Sequence, residues 1–178
     1  QGGVTGGGYN PGNVELTGQI NLHIPVGSFI RKAYLFATAM RHVNYTGFPS
    51  AMNLHINNQS VLLSIDEALH NNYLIQLYGN VQPTYESRTV VKDISHLNFS
   101  STLSIIPAVQ VQPPFYWEYY VLVLYENVNL PNVAVDVFVN NQDADSLMNY
   151  PLITSMQTDN SNPIGLALNA SCFCDTIQ

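Results

Sequence analysis

The chain has 178 residues, an apolar share of 46%, a charged share of only 10% and a formal net charge of −7. That length gives one domain room to bury a substantial core. The five basic residues, Arg31, Lys32, Arg41, Arg88 and Lys92, form no patch, which argues against nucleic acid and anionic membrane as partners. No apolar run reaches the ~18 residues needed for a membrane span.

Residues 1–13 hold six glycines and a proline and offer almost nothing to bury. Their composition predicts a flexible Gly-rich arm, followed by a single domain over 14–178. Within the arm, Gly6, Gly7, Gly8 and Tyr9 are the residues expected to order against a neighbouring subunit by strand addition. Gln1 in place of Met fits maturation from an exported precursor as well as a trimmed chain.

Strand signals then follow one another. Gly18 to Ile24 alternates, with Ile20, Leu22 and Ile24 on one side and Gln19, Asn21 and His23 on the other. Pro25-Val26-Gly27 is a turn, and Phe29–Met40 is a long apolar run with Arg31 and Lys32 near its start. Further strands are expected at Met52–Ile56, Ser60–Ile65, Leu74–Leu77, Arg88–Lys92, Thr102–Ile106, Val133–Val139 and Ile164–Asn169. Asn57-Asn58 marks a tight hairpin turn, Asp93–Leu97 a helical turn and Asp66–Asn71 a brief helix. The segment 107–114, with three prolines, belongs at an edge or in a loop.

The strongest of these signals is Tyr116–Glu126, which contains the only Trp of the chain. Trp117, Tyr119, Val121, Val123 and Tyr125 share one face, and Glu118, Tyr120, Leu122, Leu124 and Glu126 share the other. Apolar residues on both faces at mid-strand predict a central strand covered on both sides. About nine or ten short strands separated by turns predict an all-β fold, a jelly-roll-like β-sandwich.

The order of motifs carries a resemblance. GQINLHIPVGSFIRKAYLFA (18–37) is followed by a hairpin, MNLHINNQSVLL (52–63), then TVVKDIS (89–95) and YWEYYVLVLYENVNLPNVAVDVF (116–138). This resembles a family of extracellular bacterial β-domains of poorly defined function found in large surface and adhesin-like proteins. That family's pattern runs Ile-Pro-x-Gly, Val-Lys-Lys-Ala-Tyr-Leu-Tyr, Asp-Val-Thr and Trp-Ser-Leu-Val-Val-Val-Tyr-Glu. The resemblance covers 18–138 and departs from the pattern at Glu118-Tyr119-Tyr120. It implies an exported β-sandwich and transfers no catalytic residue.

Few constellations carry chemistry. Asn140, Asp143 and Asp145 alternate oxygen ligands after a strand and are the candidate calcium ligands, although an EF-hand's Gly and terminal Glu are missing and a solvated acidic turn is the simpler account of them. Cys172 and Cys174, the only cysteines, would point to the same side of a strand. Bridging each other is strained there, so they are candidates for interchain disulfides, beside a strained local bond or two reduced thiols. The five histidines are scattered, no nucleophile-elbow or HExxH motif occurs, and Glu118 and Glu126 stand roughly 27 Å apart along one strand. No enzyme, catalytic residue or cofactor is expected. Lys32 is the candidate for a Lys–Asn or Lys–Asp isopeptide crosslink, which requires its amine to be buried beside an acid.

These features together predict a non-enzymatic, exported structural protein at the cell surface or outside the cell. It is expected to assemble with copies of itself into a surface layer, filament or particle. An adhesin or glycan-binding module, using aromatics such as Tyr45, Phe48, Tyr78, Tyr85, Phe115 and Tyr116, is the alternative from another class. A virion surface protein is a variant of the first reading.

Overall fold

The structure, a computed structural model, describes residues 1–10, 17–42, 44, 47–48, 50–68, 73–75, 85–107, 115–135 and 137. The chain divides into two compact units, Gln1–Asp143 and Ala144–Gln178. All described residues belong to the first.

Nine strands occur among the described residues: β1 (Gly2–Tyr9), β2 (Gly18–Asn21), β3 (Phe29–His42), β4 (Ala51–Ile56), β5 (Gln59–Ser64), β6 (Tyr73–Ile75), β7 (Tyr85–Asp93), β8 (Thr102–Pro107) and β9 (Phe115–Glu126). They form two antiparallel sheets, ordered β1-β9-β3-β7-β6 and β2-β8-β4-β5. An all-β fold of two sheets sharing one core is the architecture of a β-sandwich.

Period-two alternation explains that core. In the four-stranded sheet Ile20, Met52, Leu54, Ile56, Val61, Leu63, Leu103 and Ile105 are buried while their neighbours face outward. The five-stranded sheet answers with Ala33, Leu35, Ala37 and Ala39 from β3, Val90 from β7, and Tyr119, Val121 and Val123 from β9, all in the same cluster. Each fully buried Leu or Ile is worth about 1.5–3 kcal/mol relative to exposure. Small alanines on β3 opposite large aliphatics let the layers interdigitate at the density of a protein interior.

Two local devices fix register. Asn57 and Asn58 both have positive φ, 48° and 64°, and join β4 to β5 by a two-residue turn of the kind their sequence predicts. On β3, the pairing with β9 shifts between Ile30 and Lys32. The bulge lets Ile30 and Ala33 both pack toward the core despite their odd spacing, and it leaves Arg31 and Lys32 both exposed.

Several expectations are revised. Composition points to a flexible arm at 1–13, yet Gly2–Tyr9 forms β1, antiparallel to β9. Where the brief helix is expected from Asp66, a 3₁₀ turn runs Ile65–Glu67 and Ala68 forms an isolated bridge with Val90; 69–71 lie outside the described residues. Asp93–Leu97 is a turn closed by the Leu97 amide donating to the Ile94 carbonyl at 2.9 Å. Residues 131–135 and 137, within or beside the expected Val133–Val139 strand, are not in a strand, and Val133 and Val137 are exposed. β9 has β1 and β3 as neighbours, and its inner face is buried at Tyr119, Val121 and Val123, whereas Tyr120, Leu122 and Leu124 on the outer face are only half-buried. The strand expected at Ile164–Asn169 lies outside the described residues.

Candidate assembly edge

The most unusual local construction is the seam between β1 and β9. Five of the eight residues of β1 are glycine. Strand propensity alone would not place such a segment in a sheet. Its place is set by bulky groups of β9 and β2 that lie across it. A Cβ on Gly6 would sit 2.4 Å from the Tyr120 hydroxyl, and one on Gly3 would sit 2.7 Å from the Tyr125 hydroxyl. A Cβ on Gly7 would sit 2.7 Å from Ile20 Cγ2 and 3.0 Å from the Asn21 carbonyl oxygen. The backbone itself closes on the strand as well, with a Cβ on Gly2 falling 2.0 Å from the Tyr125 carbonyl oxygen and one on Gly6 2.9 Å from the Val121 carbonyl oxygen, so β1 fits because it has almost no side chains.

The register is continuous from Gly2 opposite Glu126 to Tyr9 opposite Tyr119. Tyr9 is the anchor. Its ring stacks on Tyr119 with centroids 6.4 Å apart and planes 14° from parallel, and it occupies the space a Cβ on Gly18 would take. The buried Tyr119 hydroxyl reaches Met52 Sδ at 3.8 Å. Burial, with Tyr9 beside it, pushes the Tyr119 phenol far above its ordinary range, and burial also raises Tyr120. Asn10 Nδ2 donates to Glu118 Oε1 at 2.7 Å. Burial raises the Glu118 carboxyl, and the Asn10 hydrogen bond partly offsets that.

At its other end the strand is tied by hydrogen bonds to the turns beside β3 and β9. The Gly2 amide donates to the Pro131 carbonyl, the Asn127 amide to the Gln1 carbonyl, each at 3.2 Å. The buried Asn127 side chain donates to the Val26 carbonyl at 3.2 Å and contacts Ser28 Oγ at 3.0 Å, clamping the turn before β3 to the turn after β9. Val26 and Val128 on these turns and Phe29 at the start of β3 are exposed. The His23 amide donates to Thr5 Oγ1 at 3.0 Å, joining β1 to the chain just past β2.

Of the residues singled out in the sequence, the structure brings together Gly6, Gly7, Gly8 and Tyr9 with Tyr119, Val121 and Tyr125 along one seam. Val123 lies on the same strand opposite Thr5, and Trp117 pairs through its backbone with Ala39. Asn140, Asp143, Asp145, Cys172 and Cys174 lie outside the described residues. Lys32 does not meet the burial requirement of an isopeptide lysine: its exposed amine lies 2.8 Å from Asp93 Oδ2 in a salt bridge. His23 and His96 are exposed, and among the described residues no group of His, Cys, Asp and Glu is arranged to hold a metal.

Sequence reasoning missed one cluster. Arg41 and Arg88 both reach the buried carboxylate of Glu86, and both guanidiniums lie over the Phe48 ring, 5.1 and 4.8 Å from its centroid. The cross-strand pairing of Arg41 with Glu86 and the i, i+2 spacing of Glu86 and Arg88 put all three on the core side of the sheet.

The chain matches no protein-family model, and comparison with curated proteins and with solved structures likewise finds no match.

Proposed function

We propose that this chain is a non-enzymatic, exported structural subunit, a jelly-roll sandwich that assembles with copies of itself into a cell-surface layer, filament or particle. The observation that carries the reading is the glycine strand β1 seated in the tyrosine-lined seam of β9. A sheet edge shaped to take a backbone with almost no side chains is an assembly device more than a ligand pocket.

Four antiparallel pairs support the jelly-roll topology: β1 with β9, β2 with β8, β3 with β7 and β4 with β5. They nest as successive rungs of one long rolled hairpin, with β6 as an addition beside β7. Jelly rolls recur in capsid and lectin domains, so the fold alone does not choose between them. Low charge and the exposed apolar tip of Val26, Phe29 and Val128 favour contact between copies. The resemblance of 18–138 to extracellular bacterial β-domains fits the same location.

A glycan-binding module is the second reading, favoured by one feature. Tyr34, Phe36 and Tyr120 stand half-buried on the outer face of the five-stranded sheet, with Phe36 and Tyr120 rings 6.3 Å apart.

Light scattering across a concentration series, with and without reductant, tests the first reading. Growth of a regular oligomer with concentration is the expected result, and loss of part of it on reduction would assign the interchain staple to Cys172 and Cys174. A monomer at every concentration would overturn self-assembly and move the case to a glycan screen.

A further inference from the structure

The β1–β9 seam has a property that self-assembly by surface contact alone does not require. β1 holds its place with main-chain hydrogen bonds, with glycine notches and with Tyr9. Val4 is exposed and five neighbours are glycine, so β1 buries little apolar surface of its own. What it does cover belongs chiefly to β9, the polar edge of that strand and the flanks of Tyr120 and Tyr125, together with Ile20 of β2. An open seam therefore leaves the acceptor worse off than the donor, and the acceptor backbone leaves no room for a side chain at the positions of Gly2 and Gly6. The glycines of this chain outside β1 stand singly, at Gly12, Gly18, Gly27, Gly47, Gly79 and Gly165. The partner strand that matches is β1, from this chain or from another copy.

Topology makes the two sources comparable. The pairing of Gly2 with Glu126 joins residues far apart in sequence, but with β2–β8 and β3–β9 already paired only the link from β1 to β2 ties the strand to its own sheet. Residues 10–17, which include Pro11 and Gly12, link β1 to β2. Tethering by such a link gives an effective concentration on the order of millimolar, which a crowded layer of copies approaches.

We propose that β1 is exchanged between copies: Gly2–Tyr9 of one chain seats on β9 of the next in the register seen within one chain, so that copies are joined by a shared five-stranded sheet. The proposal rests on the self-assembly reading and names its joint.

Val4 stands directly opposite Leu124 across the seam, close enough for engineered cysteines to bridge. In a background carrying Cys172→Ser and Cys174→Ser, one full-length chain receives Val4→Cys and a second receives Leu124→Cys. Each is mixed with the other at high concentration and oxidised, and the crosslinked peptides are identified by mass spectrometry. A disulfide between positions 4 and 124 in the mixture is the expected result, since neither chain can form it alone. Adding Gly6→Val to the Val4→Cys chain should lower its yield at least tenfold, because the new side chain meets the Val121 carbonyl oxygen as well as Tyr120. A third chain with both cysteines, oxidised at high dilution, reports whether the seam closes within one copy. Closure there with no link in the mixture overturns strand exchange. Oligomers by light scattering without the link overturn exchange and leave self-assembly standing, whereas monomers without the link overturn both.

Discussion

The two ends of the β3–β7 pair carry the same chemistry in opposite surroundings. At one end Arg41 and Arg88 share Glu86, whose side chain is 8% exposed. At the other, Lys32 meets Asp93 with side chains 52% and 46% exposed. Water screens the second pair and leaves its net worth small. The first has given up much of its hydration, so its members depend on each other, and removing one leaves uncompensated charge inside the sandwich. Proximity of opposite charges is similar at both ends. Burial decides which of them the fold depends on.

The sharpest way to break this contrast is Glu86→Ala. Two guanidiniums would remain at the core side of the sheet without their shared counter-charge. Loss of stability of roughly 3–5 kcal/mol is expected, read as a fall in Tm on the order of 10 °C for a chain of this size. The apolar triple Arg41→Met, Glu86→Leu, Arg88→Met should recover most of that loss, because it removes the charges together with the cost of burying them. A single substitution that moves Tm by no more than Asp93→Asn does would show that water reaches the cluster.

How much of this was legible in the sequence differs by element. Strands whose side chains alternate were readable, as at Ile20–Leu22, Met52–Ile56 and Val121–Val123, because burial follows the period of the backbone. The Asn57-Asn58 turn was readable because positive φ at two successive residues selects few residue types. β1 was not, because glycine carries no period. Its position is written in Tyr120 and Tyr125, more than a hundred residues away. Val133, Val135 and Val137 show the converse failure: alternation is a local property of the sequence, whereas pairing needs a partner that the alternation does not name. Arg41 and Glu86 were unreadable as partners for the same reason as β1, since their register is fixed by the whole sheet and not by local spacing.

Phe48 offers a gentler probe of the buried end. Its ring covers both guanidiniums, and such a contact is worth about 0.5–2 kcal/mol according to how dry it is. Phe48→Ala should therefore cost less than Glu86→Ala, and Phe48→Leu, which restores apolar cover without the ring's electrostatics, should recover only part. Chemical denaturation with unchanged m-value would locate the effect in the native state. Equal stability of the Leu variant and the parent would assign Phe48 a packing role alone.

The exposed end gives the smallest effect and the clearest dependence on pH. The hydrogen bond from Lys32 Nζ, followed by those from the Ser95 hydroxyl and amide, holds the Asp93 carboxyl well below the usual carboxylate range. The same bond to Asp93 raises Lys32. A depressed acid contributes stability that is present above its unfolded value near ~4 and is lost as pH falls through its folded value. A raised lysine contributes below its unfolded value near ~10.4 and loses that share as pH rises through its folded value. Asp93→Asn keeps Oδ1 as an acceptor for Ser95 and removes the charge together with the Oδ2 acceptor for Lys32. The difference in Tm between parent and variant should thus be greatest from about pH 5 to 10, shrink on both sides of that window, and fade with added salt. A difference independent of pH would mean that the Asp93–Ser95 turn, not the ion pair, is what Asp93 supports.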